Sequence, residues 1–326
     1  MTTMAIDNKE KEVLNVPPLR FPEFTGEWQC KAIEKVAPLQ RGFDLPTQNL
    51  VEGIYPVIYS NGILQHHDKY KCEAPGLITG RSGTIGKFTY IDSGFYWPHN
   101  TSLWVTDFCG NCPKFIYYLY QTVHIEQFST GSGVPTLNRN DVHRYKTSVP
   151  TAIVEQEKIA KFLSILDERI VTQNKIIEDL NKLKSAISEC IFNSIKGDVV
   201  MLSEICDIVK GKQINGEYLS ESGEYYVMNG GTEPSGYYSE YNVKANTISI
   251  SEGGNSCGYV QFNNFPFWSG GHCYSLQNIA DIVDNLYLYH YLKSKEEAIM
   301  KLRIGSGLPN IQKKGLGNVQ NYSTAI

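Results

Sequence analysis

The chain has 326 residues, 41% of them hydrophobic and 20% charged, with a formal net charge of −4. That is length and apolar content enough for two or three ordinary cores. The balance excludes an evenly basic coat for nucleic acid but not a locally basic groove, and no apolar run approaches a membrane span. The opening residues carry neither the basic start nor the apolar core of a secretory signal, and the eight cysteines are too dispersed for a disulfide scaffold. Both features lead us to expect a cytoplasmic protein with reduced thiols.

Residues 1–16 are polar and aperiodic, and a frayed tail is expected there. Pro17 to Trp28 holds prolines and glycines that exclude regular structure, with Leu19, Phe21, Phe24 and Trp28 able to pin it as an extended arm on a first domain, 17–152. A short helix is expected over Lys31 to Val36. Tyr55–Tyr59, Gly76–Thr79, Phe88–Ile91 and Ser102–Val105 read as strands, with Asn61-Gly62 as a turn and Gly80 to Lys87 as a glycine-rich turn. Lys114–Thr122 reads as a helix with aromatic faces.

Residues 153–196 form a helical spacer. From Glu155 to Ser194 no Gly or Pro interrupts the chain, and Ile159, Leu163, Leu166, Ile170, Gln173, Ile177, Leu180, Lys184, Ile187 and Ile191 recur at alternating steps of four and three. That is the pattern of a coiled-coil-type helix buried along one seam. Its forty residues would reach about 60 Å. Gln173 and Lys184 interrupt the seam with polar groups, which fix register or partner at some cost in stability. Ile176, Leu183 and Cys190 widen the stripe. The alternative is a single long helix lying on its own domain.

A second domain, 197–320, repeats the plan of the first. Asn229-Gly230 answers Asn61-Gly62, and Ser251 to Gly258 answers the glycine-rich turn. Tyr289-His290-Tyr291-Leu292 answers Tyr117-Tyr118-Leu119-Tyr120. Gly305-Ser306-Gly307-Leu308-Pro309-Asn310-Ile311 answers Gly131-Ser132-Gly133-Val134-Pro135-Thr136-Leu137. The glycine-turn pair is offset by 172 residues and the Gly-Ser-Gly pair by 174. Ordered matches at nearly constant offset mark a duplication. The fold class expected is therefore α+β, two duplicated mixed α/β domains joined by a long helix, with 321–326 as a C-terminal tail.

These motifs together resemble the DNA-specificity subunit of Type I restriction–modification systems. The resemblance rests on Leu19-Arg20-Phe21-Pro22-Glu23-Phe24 with Gly26-Glu27-Trp28, on the two Gly-Ser-Gly segments, and on Val154-Glu155-Gln156-Glu157-Lys158-Ile159-Ala160 with its Glu-Gln-x-x-Ile-Ala pattern. It implies two target recognition domains, each reading half of a split double-stranded DNA site, with the long helix setting their spacing. It also implies docking to adenine methyltransferase subunits and, through them, to an ATP-dependent restriction subunit. The subunit itself would be non-catalytic and need no cofactor. Members of the family carry a second long helix after the second recognition domain. Its absence here leads us to expect self-association through 155–194. The competing reading is an interaction scaffold, or an inactive allele, without DNA binding of its own.

Within that frame the DNA-facing candidates are basic or polar residues near turns. Lys69 and Lys71 follow His66-His67-Asp68. Arg81, Ser82 and Lys87 lie in or beside the first glycine-rich turn, and Asn255 and Ser256, with Glu252, in the second. Arg139, His143, Arg144 and Lys146 cluster after the first Gly-Ser-Gly segment, Lys313 and Lys314 after the second, and Lys210 and Lys212 flank Gly211. Any one of these is as easily a solvated surface group. Cys109-Gly110-Asn111-Cys112 has metal-like spacing but no second pair to complete four zinc ligands. The run Ser82 to Lys87 lacks phosphate-loop order because Phe88 follows Lys87. No nucleophile–base–acid set stands out.

Overall fold

The computed structural model describes residues 16–131, 133–305 and 307–323. Of the expected tails, 1–16 and 321–326, residues 1–15 and 324–326 lie outside the described residues. The chain divides into two compact units, with the boundary between Gln173 and Asn174.

Each unit is built on the same sheet. In the first, the strands run Leu39–Arg41, Ser102–Val105, Gly76–Gly80, Phe88–Ile91 across the sheet, all antiparallel. In the second, Asp207–Lys210, Cys273–Gln277, Thr247–Ser251 and Val260–Asn263 take the same order and sense. Both faces of the first sheet are buried, and period-two alternation sorts the side chains between them. Leu77, Leu103 and Val105 face the core that holds helix α1 (Pro113–Val123), through Phe115, Ile116, Leu119 and Tyr120. Ile78 and Trp104 face a second cluster with Ile58 and Tyr96. The second unit sorts in the same way. Ile248, Ile250 and Leu276 pack with Leu288, Tyr291 and Leu292, which come from a later helix, while Cys273 packs with Met228 and Phe267 on the other side.

A second sheet repeats as well. Tyr55–Tyr59 pairs antiparallel with Gly62–His67 and parallel with Phe95–Pro98. Tyr225–Met228 pairs antiparallel with Tyr237–Tyr238 and parallel with Trp268–Ser269. Each unit is tied off by an outer ladder, Gln29–Ala32 with Lys146–Val149 and Asp198–Met201 with Gln320–Ser323. Two expectations are corrected here. Lys31 belongs to a strand, and only Ile33–Lys35 turns, as a 3-10 helix. Residues 321–323 are not a tail but continue the closing strand.

The remaining helices follow in chain order: α2 (Arg139–Arg144), α3 (Ile153–Ser194), α4 (Leu202–Ile205), α5 (Asn285–Ser294), α6 (Glu296–Met300) and α7 (Lys313–Gly317). At 42 residues α3 is about 63 Å long. Only its ends are embedded. Ile159 and Ala160 join the core of the first unit. Phe192 joins that of the second, edge-on to Tyr287 and Tyr291 of α5 at 5.8 and 5.3 Å between ring centroids.

Candidate nucleic-acid interface

The Glu-Gln pair at the start of α3 anchors both the arm and the first unit. Glu155 is buried, and its two carboxylate oxygens each accept from the Arg20 guanidinium at 2.7 Å. Trp28 Nε1–H donates to the same carboxylate at 3.1 Å. Arg20 also donates to the carbonyls of Thr25 and Gly26, so it folds the arm on itself while Trp28, Glu23 with Lys158 and Phe21 against Phe162 help fasten it to the helix. The Arg20 hydrogen bonds hold the Glu155 carboxyl below its ordinary value of 4.5, against the opposing effect of burial. Gln156, also buried, accepts from the Cys112 N–H at 2.9 Å, satisfying the N-cap residue of α1. It donates to Asn111 Oδ1 at 2.8 Å and to Pro150 O at 2.9 Å. Cys109, exposed at φ +50°, and Cys112 therefore bracket the turn into α1.

The glycine-rich turn and the Gly-Ser-Gly segment, far apart in sequence, meet through an isolated antiparallel bridge in each unit. In the first, Gly83 N–H donates to Pro135 O at 3.0 Å and Leu137 N–H to Arg81 O at 2.8 Å. In the second, Gly254 N–H donates to Pro309 O at 3.0 Å and Ile311 N–H to Glu252 O at 2.8 Å. The exit of the first sheet strand is equally matched. Gly42 N–H donates to Ser102 O at 3.0 Å and Gly211 N–H to Cys273 O at 2.8 Å. A Cβ on either glycine would lie 2.2 Å from a backbone carbonyl, His99 O for Gly42 and Gly270 O for Gly211. Both are therefore glycine for lack of space.

This shared register equates Arg41 with Lys210, Arg81 with Glu252 and Arg139 with Lys313. In the first unit the three arginines line one open groove of 670 Å³ with Gln40, Thr136 and Asn138. Arg41 pairs with Asp44 at 3.1 Å, and Arg41 and Arg81 both reach Asn100 O at 3.4 Å. In the second unit Lys210 pairs with Glu252 at 2.6 Å, and Tyr274 Oη–H donates to the same carboxylate at 3.2 Å. Glu252 is buried while Lys210 is half exposed.

The predicted residues fall into several groups. Arg81 and Arg139 meet in the groove, and Lys69 and Lys71 line an adjoining hollow that shares Asp44 with it. Lys71 Nζ lies 5.0 Å from the Trp97 ring and 5.5 Å from that of Phe43. Ser82 bridges to Thr136, and Lys87 is exposed at the end of the turn. Arg144 pairs with Asp141 on its own helix, Lys146 sits in the outer ladder opposite Ala32, and neither lines the groove. His143 serves as a hydrogen-bond acceptor. Its Nε2 accepts from the Leu39 N–H at 2.9 Å, and burial lowers its pKa. Lys212 is exposed and its carbonyl accepts from Trp268 Nε1–H at 2.9 Å. Asn255 is exposed and Ser256 half-buried in the second turn, and Lys313 and Lys314 are exposed on α7. Arg41 and Asp44 were missed by sequence reasoning. The signal was a basic residue before glycine in both copies, Arg41-Gly42 and Lys210-Gly211.

Along α3, Leu163 is half-buried near the arm, while Leu166, Ile170, Gln173, Ile177, Leu180, Lys184, Ile187 and Ile191 are exposed. Lys184 lines a polar hollow beside α5 and α6.

Comparison with known proteins agrees with this geometry. The family model described as the Type I restriction modification DNA specificity domain matches residues 25–182 and 196–320. A putative type I specificity subunit of Mycoplasma genitalium is 23% identical over 314 residues, covering 90% of this chain and 82% of that protein. A putative type I specificity subunit of Mycoplasma pneumoniae is 36% identical over 112 residues, 34% of this chain and 30% of that one. The crystal structure of a type I restriction–modification S subunit from M. genitalium superposes with a TM-score of 0.67 at 21% identity, covering 91% of this chain and 85% of that one. The match spans both units, so the chain belongs to the Type I restriction–modification DNA-specificity family, as a non-catalytic subunit that recognises DNA sequence.

Proposed function

We propose that the chain reads a bipartite double-stranded DNA site, one half by residues 17–152 and the other by 197–320, with 153–196 setting the spacing and docking methyltransferase subunits. The observation that carries this is the duplicated register. Two copies of one platform, with the same backbone hydrogen bonds, present different charged side chains at matching positions. Divergence at such positions suits two readers of unlike half-sites. Through the methyltransferase subunits the chain would join a restriction subunit. No described helix is long and apolar enough to cross a membrane, and a cytoplasmic site of action fits a partner of DNA.

Adenine methylation mapped in cells that express the chain with its methyltransferase subunits is expected to show a split motif that vanishes when this gene is deleted. No motif, with the methyltransferase expressed, would favour the scaffold reading.

Self-association through α3 belongs to the same proposal. Ile170, Ile177, Leu180, Ile187 and Ile191 are 49–58% exposed along one stripe, more apolar area than a lone helix leaves in water. Sedimentation of the full chain is expected to show a dimer that Ile177→Glu with Leu180→Glu dissociates. A wild-type monomer at micromolar concentration rejects it.

A further inference from the structure

We propose that one matched position sets the sequence each unit reads, Arg81 in the first and Glu252 in the second, flanked in each copy by basic groups for the phosphate backbone, Arg41 and Arg139 in the first and Lys210 and Lys313 in the second. The proposal deepens the DNA-reading function and rests on it.

The first argument is placement. Each position is where a sheet strand, or the segment hydrogen-bonded beside it, leaves the core. The backbone there is fixed by the same bonds in both units, while the side chain points into an open groove in the first. Rigid strand ends hold a reading group to within the tolerance that base recognition needs.

The second argument is chemistry. Arg81 makes a single long bond to Asn100 O, and Arg41 shares that carbonyl while pairing with an exposed carboxylate. The Arg81 guanidinium fork, held this loosely, keeps most of its donors for a base, and Arg41 keeps a charge for phosphate. A fork matches the O6 and N7 acceptors of guanine. In the second unit Glu252 is an acceptor, and a carboxylate accepts from the N4 amino group of cytosine. One of its oxygens is buried without a hydrogen-bond partner, 3.7 Å from His272 Nδ1, and the other is held by Lys210 and Tyr274, so Glu252 presents its acceptor to a base once Lys210 turns away. The neighbouring Lys210 neutralises it in the free protein and lies exposed enough to turn toward phosphate.

The third argument is the contrast itself. A surface kept only for phosphate would hold cations at all three positions in both copies. Instead the middle position inverts its charge, from Arg81 to Glu252, while the flanking positions stay basic. The flanking pairs thus suit the common backbone, and the middle one suits what differs between half-sites.

The test is methylation by the full complex on duplex libraries in which one half-site or the other is randomised. Arg81→Gln is expected to relax or change the preference at one base pair of one half-site by about tenfold to a hundredfold, leaving the other half unchanged. Glu252→Gln is expected to do the same in the other half only. Arg81→Lys keeps the charge and loses the fork, so it is expected to behave like Arg81→Gln. Unaltered motifs in Arg81→Gln and Glu252→Gln overturn the proposal. So does uniform loss of methylation across the library with unfolding temperatures unchanged, since that marks a phosphate contact. A wild-type complex without any split motif instead rejects the underlying function, which separates the two failures.

Discussion

Gln156 shows how much one side chain can coordinate. Its amide uses acceptor and donors on three partners, and Leu would match its size while satisfying none of them. Gln156→Leu strands the Cys112 N–H and is expected to cost about 1–3 kcal/mol for that group alone, measured by urea unfolding. His143 makes a second residue-scale case. Burial lowers its pKa from the ordinary 6.5, so as pH falls the unfolded chain takes up the proton before the folded one does. Stability from this group is present above about pH 6.5 and is lost as pH falls through the folded value. Glu155, lowered from 4.5 by Arg20, adds loss in the same direction at lower pH. Thermal stability is expected to fall from pH 7 to pH 5, and His143→Gln is expected to flatten part of that decline, with the parts from His99, whose pKa burial also lowers, and from Glu155 remaining.

At the scale of elements, α3 is held by its ends. Its middle turns have no packing partner within the described residues of either unit, so heptad spacing alone does not bury them. Phe192 is the anchor in the second unit, 7% exposed against Tyr287 and Tyr291. Phe192→Ala is expected to destabilise the second unit by about 3–5 kcal/mol, read by urea unfolding followed through probes placed in each unit. A shift confined to probes in the first unit would contradict this assignment. The arm is a second element whose order is borrowed. With no ladder of its own, its place depends on Arg20 and Trp28 meeting Glu155, on Glu23 pairing with Lys158 and on Phe21 packing edge-on to Phe162. Arg20→Ala is expected to raise hydrogen exchange over residues 19–28 and leave the two sheets protected.

Across the whole molecule the duplication extends to backbone detail. Gly42 and Gly211 meet the same obstruction at the same place in their units. Gly42→Ala and Gly211→Ala are each expected to destabilise their own unit by about 1–3 kcal/mol or more, and to add when combined, because they share no contacts. Paired scanning calorimetry on the single and double variants checks both statements.

The sequence by itself determined the plan: a duplicated α+β unit, a long helix between copies, and a family marked by motifs that sit in order along the chain. These are legible because glycine turns, strand alternation and heptad spacing are local patterns. Basic residues were legible only as candidates. Arg81 and Arg139 are brought together by an isolated bridge between the first glycine-rich turn and the Gly-Ser-Gly segment, and no local rule foretells that pairing. His143 lies in the same basic run as Arg144, yet tertiary packing makes it a half-buried acceptor. Arg41 entered the groove only once the sheet was closed. The tertiary structure alone decided which charges converge, because convergence depends on long-range strand pairing that sequence spacing does not encode.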